Sequence, residues 1–563
     1  MKYYAALLLL FVGMYLIPLG FRPMITPDEF RYAEIPREMV ESGNWVVPRL
    51  AGMDYFEKPA LGYQLTALSF KVFGYNRFAL RFPPALAAGL TALLLTLFLR
   101  RYTRNDRIAA LGGVMYLDYG LVFGVGTCAV LDAQVTFFMA GCLLTFLPAA
   151  LAEKWDLPKI VLLLVSGIFA GLAFLTKGFI ALAVPGIVIV PFLIWEKRWK
   201  AFLTLPWLPL AAFLAVSAPW CIAIHKQAPD FWRYFVVVEH WARFTGTGFG
   251  QHNSPWWLYL ALLIPLLLPG GLLLPCAIRG LRGQWGALLR QSYVRYLVCI
   301  FVVPFIFFSA CSGKLATYIL PCLIPVAALE AIGIAEYFRL GGKYRSFRWI
   351  MVFCGIVFVI AGVGGLAAGW LPYPEAVRQA LPFPAEILRR FMPAGAAALI
   401  FGAVLLYQRK KLWRRNLIAF FAGQVLVMGC TLWGIAPELF GDKTQETALK
   451  ELEKHLPADV EKIMVFRRCM HGAAWVWSRP HDDLTLVWTM GEWDYPINHG
   501  FAHRYMSPEQ LVKYLHAKDR PRCAILFPEN TFRKHRKHFP DDGEYFRSNQ
   551  LLLVVYPPAA KNP

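Results

Sequence analysis

Apolar segments about as long as a membrane is thick recur along this chain and leave few folds open to it. A bilayer core of about 30 Å is crossed by about 20 apolar helical residues. Because 58% of the 563 residues are hydrophobic and only 17% are charged, the apolar surface exceeds what a soluble core buries. The sequence therefore predicts an all-α polytopic membrane protein. Its thirteen candidate spans are residues 3–21, 82–99, 108–126, 130–151, 159–176, 178–195, 201–223, 256–278, 296–311, 316–337, 347–370, 391–407 and 416–436.

The positive charge of the chain lies in short loops between these segments. A net charge of +21 would suggest nucleic-acid binding in a soluble protein, but basic loops between spans indicate the side that faces the cytoplasm. With the N-terminus inside, the inner loops are basic at residues 100–107, 154–159, 197–200, 279–295, 339–348 and 409–415. A further span at 60–74 would turn the later basic loops outward, so we expect a membrane-surface helix there. The C-terminus then lies outside, and no nucleic-acid partner is expected.

The chain changes character at about residue 437, where long apolar runs give way to short alternating segments. Strands are predicted at 462–466, 484–488, 524–527 and 551–556, and helices at 444–456 and after Ser507, with Pro508 in the first turn. We expect residues 1–436 to form the membrane domain and residues 437–563 a soluble α/β domain on the outer face. Cys469 and Cys523 could pair in an oxidising compartment, although their spacing does not decide it.

A charged, turn-rich insertion lies in the first outer loop, about residues 22–81. Charged side chains beside lipid must be held in water, in a protein cavity or in ion pairs. The insertion carries Asp28, Glu29, Arg31, Glu34, Arg37, Glu38, Glu57 and Lys58. Four other outer loops add Asp132, Lys177, His225, Glu239, His240, Arg243, Lys314 and Tyr318. We therefore predict an active site at this face, with Glu34, Arg37 and Glu38 as surface charges of a helix outside it.

Several cations and few acids at one membrane face suit an anionic substrate carried by the membrane. Lysines and Arg31 can bind phosphate oxygens through charge-assisted hydrogen bonds and stabilise the charge that develops on a phosphate leaving group. Glu57 and His240 could share a divalent metal cation as a Lewis acid, although they lack a metal-ligand spacing. The sequence has no Walker A, dinucleotide-binding or zinc-protease motif, which argues against a nucleotide cofactor.

The candidate residues also have ordinary structural interpretations. These are a helix cap for Asp132, snorkelling side chains for Lys177 and Lys314, a solvated pair for Glu57 and Lys58, and an interfacial position for His240. Their joint occurrence on one face favours a functional site over these separate interpretations.

Several strings of residues resemble those of a known family. D-E-F-R-Y-A-E at 28–34, G-N-W-V-V-P at 43–48 and Y-F-E-K-P at 55–59 resemble the first outer loop of bacterial lipid-linked-sugar glycosyltransferases of the GT-C fold. The chain is most similar to the lipid A 4-amino-4-deoxy-L-arabinose transferases, the ArnT family. Further matches are Leu131-Asp132, Thr176-Lys177-Gly178, Val238-Glu239-His240 with Arg243-Phe244, and F-F-S-A-C-S-G-K-L-A-T-Y-I-L-P at 307–321. The resemblance extends to about residue 330.

The resemblance implies transfer of a sugar from undecaprenyl phosphate to a phosphate of lipid A, at the periplasmic face of the bacterial inner membrane. In such enzymes the acid corresponding to Asp28 is essential. A phosphate acceptor is already ionised, so we expect Asp28 to orient the substrate through Lys177 rather than to act as a base. The resemblance further assigns donor-phosphate binding to Lys58, Lys314 and Tyr318, metal binding to Glu57 and His240, and the sugar pocket to Asp132. It implies a single displacement with inversion at the sugar carbon.

Two positions depart from the family pattern, and other functions stay open. Ala316 stands where proline is expected, and Asp118 lies inside the third predicted span, where a carboxylate is costly without a partner. A protein or surface-glycan O-glycosyltransferase is one alternative, and a hydroxyl acceptor would require a true general base. A transporter or flippase for lipid-linked sugars is another, although transporters place their charges near the bilayer midplane.

Overall fold

A bundle of long apolar helices forms the first and larger part of the protein. The computed structural model describes residues 2–242, 254–341, 344–375, 384–409, 412–478 and 483–559. In chain order the helices of this part are α1 Tyr3–Gly20, α2 Asp28–Ser42, α3 Leu61–Phe73, α4 Arg77–Thr103, α5 Asp106–Asp118, α6 Gly120–Gly126, α7 Asp132–Leu151, α8 Leu157–Lys177, α9 Ile180–Trp195, α10 Ala201–Gln227, α11 Asp230–Arg233 with its continuation Tyr234–Ala242, α12 Leu258–Leu267, α13 Gly270–Leu281, α14 Ser292–Ala310, α15 Ala316–Arg339, α16 Arg345–Trp370, α17 Ala385–Gln408 and α18 Trp413–Gly434.

Within the described residues, ten of these helices are long and apolar enough to cross a membrane: α1, α4, α7, α8, α10 and α14 to α18. They coincide with ten of the thirteen predicted spans, which confirms the polytopic membrane fold. The other three predicted spans are shorter or interrupted. The span predicted at 178–195 is the 16-residue helix α9. The spans predicted at 108–126 and 256–278 are each divided in two, between α5 and α6 and between α12 and α13.

The two interrupted helices break at points that lie against each other. Tyr119 separates α5 from α6 in extended conformation, and it bridges to Pro269, which separates α12 from α13. The Gly120 amide donates to the Leu268 carbonyl at 2.7 Å. Backbone groups released inside a membrane must find partners within the protein, so each break supplies partners for the other.

The run 60–74 forms helix α3, as predicted. Its 13 residues span about 20 Å by helical rise, which is too short to cross a bilayer core. α3 follows a small hairpin of β1 (Arg49–Leu50) and β2 (Met53–Asp54). The hairpin, α2 and α3 together form the first outer loop.

A six-stranded mixed sheet organises the C-terminal part. Its strands are β3 Lys462–Phe466, β4 Leu484–Val487, β5 Tyr505–Met506, β6 Cys523–Pro528, β7 Glu544–Ser548 and β8 Leu551–Tyr556, in the order β5-β4-β3-β6-β8-β7. β3, β4, β5 and β6 are parallel, whereas β8 is antiparallel to β6 and β7. The helices are α19 Glu446–Glu453, α20 Arg467–Trp477, α21 Asp494–Asn498, α22 Pro508–Leu515 and α23 Glu529–His535. This architecture confirms the predicted α/β fold of the C-terminal part.

The four predicted strands are confirmed to within one residue at each end, as is the helix start at Ser507, which forms a capping box with Gln510. β5 and β7 were not predicted. β5 has only two residues, and most side chains of the edge strand β7 are exposed, so neither shows the apolar alternation that marks a half-buried strand.

The two faces of the sheet have different neighbours. The face that contains Ile463 and Leu553 packs with Tyr55, Phe56 and Phe231 of the membrane domain in one hydrophobic cluster. Alternate residues of the same strands face the other way and form a separate cluster. The sheet domain therefore lies directly on the first outer loop and α11.

Cys469 and Cys523, considered above as a disulfide pair, are both free and buried. Cys469 belongs to the cluster on the face toward the outer loop, and Cys523 to the cluster on the opposite face. The sheet therefore separates the two thiols.

The prediction that Glu34, Arg37 and Glu38 are surface charges is wrong. All three are at most 4% exposed, because the C-terminal domain covers α2. Arg37 binds Glu34 through two hydrogen bonds, and its guanidinium also reaches the Ala474 carbonyl of α20 at 3.5 Å. Glu38 accepts from the Gly52 amide at 3.1 Å. Arg37 therefore links the loop to the C-terminal domain, whereas Glu34 and Glu38 are bound within the loop.

Candidate active site

The two acids that open α2 point into different surroundings. Glu29 is fully buried, and its carboxylate accepts hydrogen bonds from Arg22 at 2.7 and 3.0 Å and from Arg81 at 2.7 and 2.9 Å. Burial alone would raise the pKa of Glu29, but Arg81 and Arg22 outweigh it and lower the pKa to about 2. The adjacent Asp28 side chain is 55% exposed, with its Oδ1 3.6 Å from Arg31 Nη1. The buried network thus fixes the start of α2 and presents Asp28 at its surface.

Arg31 connects this helix to the C-terminal domain. Its Nε lies 3.0 Å from Glu492 Oε2. The other oxygen of Glu492 lies 2.9 Å from His471 Nε2. Burial opposes ionisation of Glu492, but Arg31 and His471 prevail and lower its pKa to about 2. A chain of close contacts therefore runs from His471 through Glu492 and Arg31 to Asp28.

Lys58 is paired with a carboxylate from a distant segment. Its ammonium contacts Glu239 of α11 and also donates to the backbone carbonyl of Glu57 at 2.9 Å. The side chains of Lys58 and Glu239 are 13% and 5% exposed, so this is a largely desolvated pair. The alternative of a solvated pair between Lys58 and the Glu57 carboxylate does not match this geometry.

Lys177 and Asp132 form a second such pair. Asp132 is the first residue of α7 and Lys177 the last residue of α8, and their Nζ and Oδ1 atoms are 2.7 Å apart. The Lys177 ammonium also lies 5.4 Å from the centre of the Tyr318 ring, within range of a cation–π interaction. At the start of α7 no side chain caps the helix, so Asp132 acts as an ion-pair partner here. The expected link from Asp28 to Lys177 is not the one observed, since Asp28 pairs with Arg31.

Tyr32 shows that these groups converge. Burial raises the pKa of Tyr32, and Arg31, Asp28, Asp132 and Glu57 all lie close enough to modify it further. Charged groups from two separate segments therefore act electrostatically on one phenol.

Two other tyrosines pack next to Tyr32. The Tyr63 ring stacks on Tyr32 with centroids 5.7 Å apart, and Tyr55 meets Tyr63 edge-on at 6.5 Å. Tyr63 and Tyr55 are only 1% and 4% exposed, so their rings fix the position of Tyr32 from inside the protein.

The remaining predicted residues flank the same region. His240 Nδ1 lies 2.6 Å from the Phe235 carbonyl. A Cβ atom added to Gly178, whose φ is +81°, would lie 3.1 Å from His240 Nε2. The imidazole therefore packs against the turn that follows Lys177, and a larger residue at Gly178 would first clash with Phe235, whose Cζ would lie closest to the added Cβ.

Lys314 is 5% exposed and donates to the Ser254 carbonyl at 2.9 Å and to the Cys311 carbonyl. It lies two residues before the short 3₁₀ helix Ala316–Cys322, which contains Tyr318. Snorkelling to the interface does not describe Lys314 or Lys177, because their ammonium groups bind protein oxygens. Arg243, also considered above, lies outside the described residues.

Comparison with known proteins identifies the family. A model described as dolichyl-phosphate-mannose-protein mannosyltransferase matches residues 1–235. An undecaprenyl phosphate-alpha-4-amino-4-deoxy-L-arabinose arabinosyl transferase from Aeromonas salmonicida is 35% identical over 558 residues, which cover 98% of each chain. A transferase of the same description from Pseudomonas aeruginosa is 32% identical over 561 residues, again 98% of each chain. This chain belongs to the family of these arabinosyl transferases.

A solved structure extends the family relationship to the fold. The crystal structure of ArnT from Cupriavidus metallidurans bound to undecaprenyl phosphate is similar with a TM-score of 0.78 at 20% sequence identity, and the match covers 98% of this chain and 97% of that one. The GT-C membrane fold with a C-terminal sheet domain is thereby confirmed. The protein is a membrane glycosyltransferase of the arabinosyl transferase family.

Sequence reasoning missed several residues that this family member brings to the site. Tyr32, Tyr55 and Tyr63 were read only as parts of motifs, and Glu492 and His471 were not noticed. A signal for the last two was present in their positions, because each follows a parallel strand of the predicted α/β domain. The carboxyl ends of neighbouring parallel strands share one sheet edge, which is where such domains place functional groups.

Proposed function

We propose that this protein transfers 4-amino-4-deoxy-L-arabinose from undecaprenyl phosphate to a phosphate of lipid A, at the periplasmic face of the bacterial inner membrane, with inversion at the sugar carbon. The observation that carries the proposal is a set of shielded ion pairs at the predicted site residues, Lys58 with Glu239 and Lys177 with Asp132, in a chain that matches arabinosyl transferases over nearly its whole length. The basic inner loops support an outer position for this site.

Binding of the donor phosphate is assigned to Lys58, Lys314 and Tyr318, with Arg31 nearby. Each ammonium is held by fixed protein oxygens, and the lysines lie in a largely buried setting. Preorganised cations in such surroundings stabilise developing charge more than they would in water. As the sugar–phosphate bond breaks, negative charge grows on the departing phosphate, and these cations would lower the barrier to that step.

Asp28 and Asp132 act on the sugar and the acceptor. A lipid A phosphate carries negative oxygens at neutral pH, so it attacks the sugar carbon without a proton acceptor. Asp28, exposed at the start of α2, is positioned to orient the incoming groups. Asp132, fixed by Lys177, lines the sugar pocket, where its carboxylate can accept hydrogen bonds from sugar hydroxyls and from the amino group.

The mechanism proposed above does not require the predicted metal ion. Among the described residues no group of three histidine, cysteine, aspartate or glutamate side chains is arranged to hold a metal ion. Glu57 and His240 would supply one carboxylate and one imidazole, so a divalent cation there would need the donor phosphate for its other ligands. Such an ion would act as a Lewis acid on phosphate oxygens, and the steps above do not depend on it.

The function is tested by incubating the purified protein with isotope-labelled undecaprenyl phosphate 4-amino-4-deoxy-L-arabinose and lipid A. We expect label in lipid A, detected by mass spectrometry as an added aminopentose. The Asp28→Asn variant should bind the donor but form no product. Label in polypeptide and none in lipid A would contradict the acceptor, and wild-type turnover by the Asp28→Asn variant would contradict the placement of Asp28.

A protein acceptor is the second candidate, because the matching family model is described as a protein mannosyltransferase. A serine or threonine hydroxyl requires a general base, and Asp28 would have to fill that role. The same labelling experiment distinguishes the two acceptors if a serine-rich and threonine-rich peptide is added in competition with lipid A.

A further inference from the structure

We propose that Glu492, held by His471, positions Arg31 beside Asp28, so that the C-terminal domain completes the active site of the membrane domain. The inference rests on the proposed transfer reaction, since that reaction supplies the measurement. It assigns a role to a domain that contributes none of the residues named so far as catalytic.

Arg31 lies between two carboxylates, Glu492 of the C-terminal domain and Asp28 of α2. Its Nε lies 3.0 Å from Glu492 Oε2, an ion-pair contact without hydrogen-bond alignment, and its Nη1 lies 3.6 Å from Asp28 Oδ1. A guanidinium is a rigid planar fork, so fixing Nε on one carboxylate also fixes the direction of the Nη atoms. Glu492 therefore determines where Arg31 presents its charge to Asp28. Both the Arg31 and Glu492 side chains are only about 15% exposed, so water competes weakly for this contact.

Glu492 is itself fixed from the domain side. His471 is 3% exposed, lies 2.9 Å from Glu492 through Nε2, and packs against Trp493 with ring centroids 4.7 Å apart. His471 Nε2 and Glu492 are therefore close in distance, although neither ring nitrogen of His471 makes an aligned hydrogen bond within the described residues. Arg467 is the further charged group that acts on Glu492. The carboxylate is thus restrained on one side by α20 and on the other by α2.

The chain topology explains how the domain reaches the site. His471 follows β3 in α20, and Glu492 follows β4, the neighbouring parallel strand. The carboxyl ends of both strands lie at one edge of the sheet, and this edge faces α2. A loop at this edge can therefore present a side chain to the membrane domain without disturbing the sheet.

A second contact between the domains provides a matched control. Arg77, at the start of α4, binds Glu446 of α19 with its Nη2 and Nε at 2.8 and 3.0 Å from one oxygen. This pair also joins the membrane and C-terminal domains, and its side chains are 29% and 15% exposed. It contacts none of the proposed site residues. A residue that only docks the domain should behave like Glu446, whereas a positioning residue should not.

The test compares Glu492→Gln, Glu492→Asp, Arg31→Lys, the Arg31→Lys and Glu492→Gln double variant, and Glu446→Gln, each in full-length protein reconstituted with undecaprenyl phosphate 4-amino-4-deoxy-L-arabinose and lipid A. We expect Glu492→Gln to lower kcat about 10- to 100-fold, the usual effect of losing a group that orients a functional side chain. The KM for the donor should hardly change. Glu492→Asp should recover part of the rate, since it restores the charge.

The double variant tests whether Glu492 acts through Arg31. If Glu492 acts through Arg31, adding Glu492→Gln to Arg31→Lys should cost little more than Arg31→Lys alone. Glu446→Gln should keep the wild-type kcat, with a melting temperature close to that of Glu492→Gln.

Three results would overturn the proposal: wild-type kcat in Glu492→Gln, an equal loss in Glu446→Gln, or losses that multiply in the double variant. A wild-type protein that forms no product with this donor and acceptor would instead contradict the proposed function, before any variant is compared.

Discussion

Lys177 and Asp132 are 45 positions apart in the chain, yet Nζ of the lysine lies 2.7 Å from Oδ1 of the aspartate. They meet because α8 ends where α7 begins, at the same face of the bundle. The two side chains are 17% and 14% exposed. A charged pair so shielded from water is disrupted strongly when one member is removed, because the other is left buried without a partner.

We expect Asp132→Asn to lower kcat/KM about 10- to 100-fold, the range seen when the partner of a functional group is removed. The lysine then loses the charge that holds its ammonium beside Tyr318. Transfer kinetics with lipid A as acceptor measure the effect. Glu196→Gln is the matched control, since it breaks a similarly shielded pair with Arg295 that lies away from the site, and it should leave kcat/KM unchanged. Equal losses in both variants would contradict a specific role for Asp132.

Removal of the Glu29 carboxylate should destabilise the membrane domain. Glu29→Ala leaves Arg22 and Arg81 buried without their anion, which typically costs about 3–5 kcal/mol in the free energy of unfolding. Thermal denaturation of the purified protein in detergent reports this as a large drop in melting temperature. Glu451→Gln breaks an exposed pair with Lys454 and should leave the melting temperature unchanged, because exposed ion pairs contribute little to stability. An unchanged melting temperature for Glu29→Ala would show that the network does not hold the loop.

The same carboxylate predicts an acid dependence of stability. The pKa of Glu29 is lowered from 4.5 to about 2 in the folded protein, so its ionised form stabilises the fold above the unfolded pKa, and this contribution disappears as pH falls from about 4.5 toward 2. The difference in melting temperature between wild type and Glu29→Gln should therefore be largest near neutral pH and shrink with acidification. A difference in melting temperature that grows as pH falls would contradict the lowered pKa of Glu29.

Cys469 and Cys523 should remain thiols even in an oxidising compartment. They lie on opposite faces of the C-terminal sheet, and a disulfide requires Cα atoms within about 7 Å and side chains that point toward each other. We expect reductant to leave the melting temperature unchanged. Alkylation after denaturation without reductant should label all 11 cysteines, and a missing pair of labels would reveal a disulfide.

Local sequence patterns were sufficient for much of the fold. The spans were recognisable because each must present about 20 apolar residues to lipid whatever its neighbours are, and β3, β4, β6 and β8 because buried strands need apolar runs. The interruptions at Tyr119 and Pro269 were not recognisable as breaks. Apart from Asp118 both segments are apolar, and only the tertiary structure shows the two breaks in contact, with the Gly120 amide donating to the Leu268 carbonyl.

In the candidate site, the sequence identified individual residues, whereas only the structure showed their partners. Asp28, Lys58, Asp132 and Lys177 were identified from motifs and from their shared face of the membrane. Their partners were not, because an ion pair depends on distance in space: Lys58 meets Glu239 across 181 positions. Sequence motifs identify which residue types are present, but they do not show which charges neutralise each other.

The sequence by itself determined a polytopic membrane protein and a C-terminal α/β domain, because hydropathy and strand patterns are local properties. Tertiary structure alone decided that Glu34, Arg37 and Glu38 are buried and that Arg31 meets Glu492. Burial and pairing of a charge depend on which surface covers it. Here that surface is the C-terminal domain, which lies more than 400 positions away in the chain, as the contact between Arg37 and Ala474 illustrates with its separation of 437.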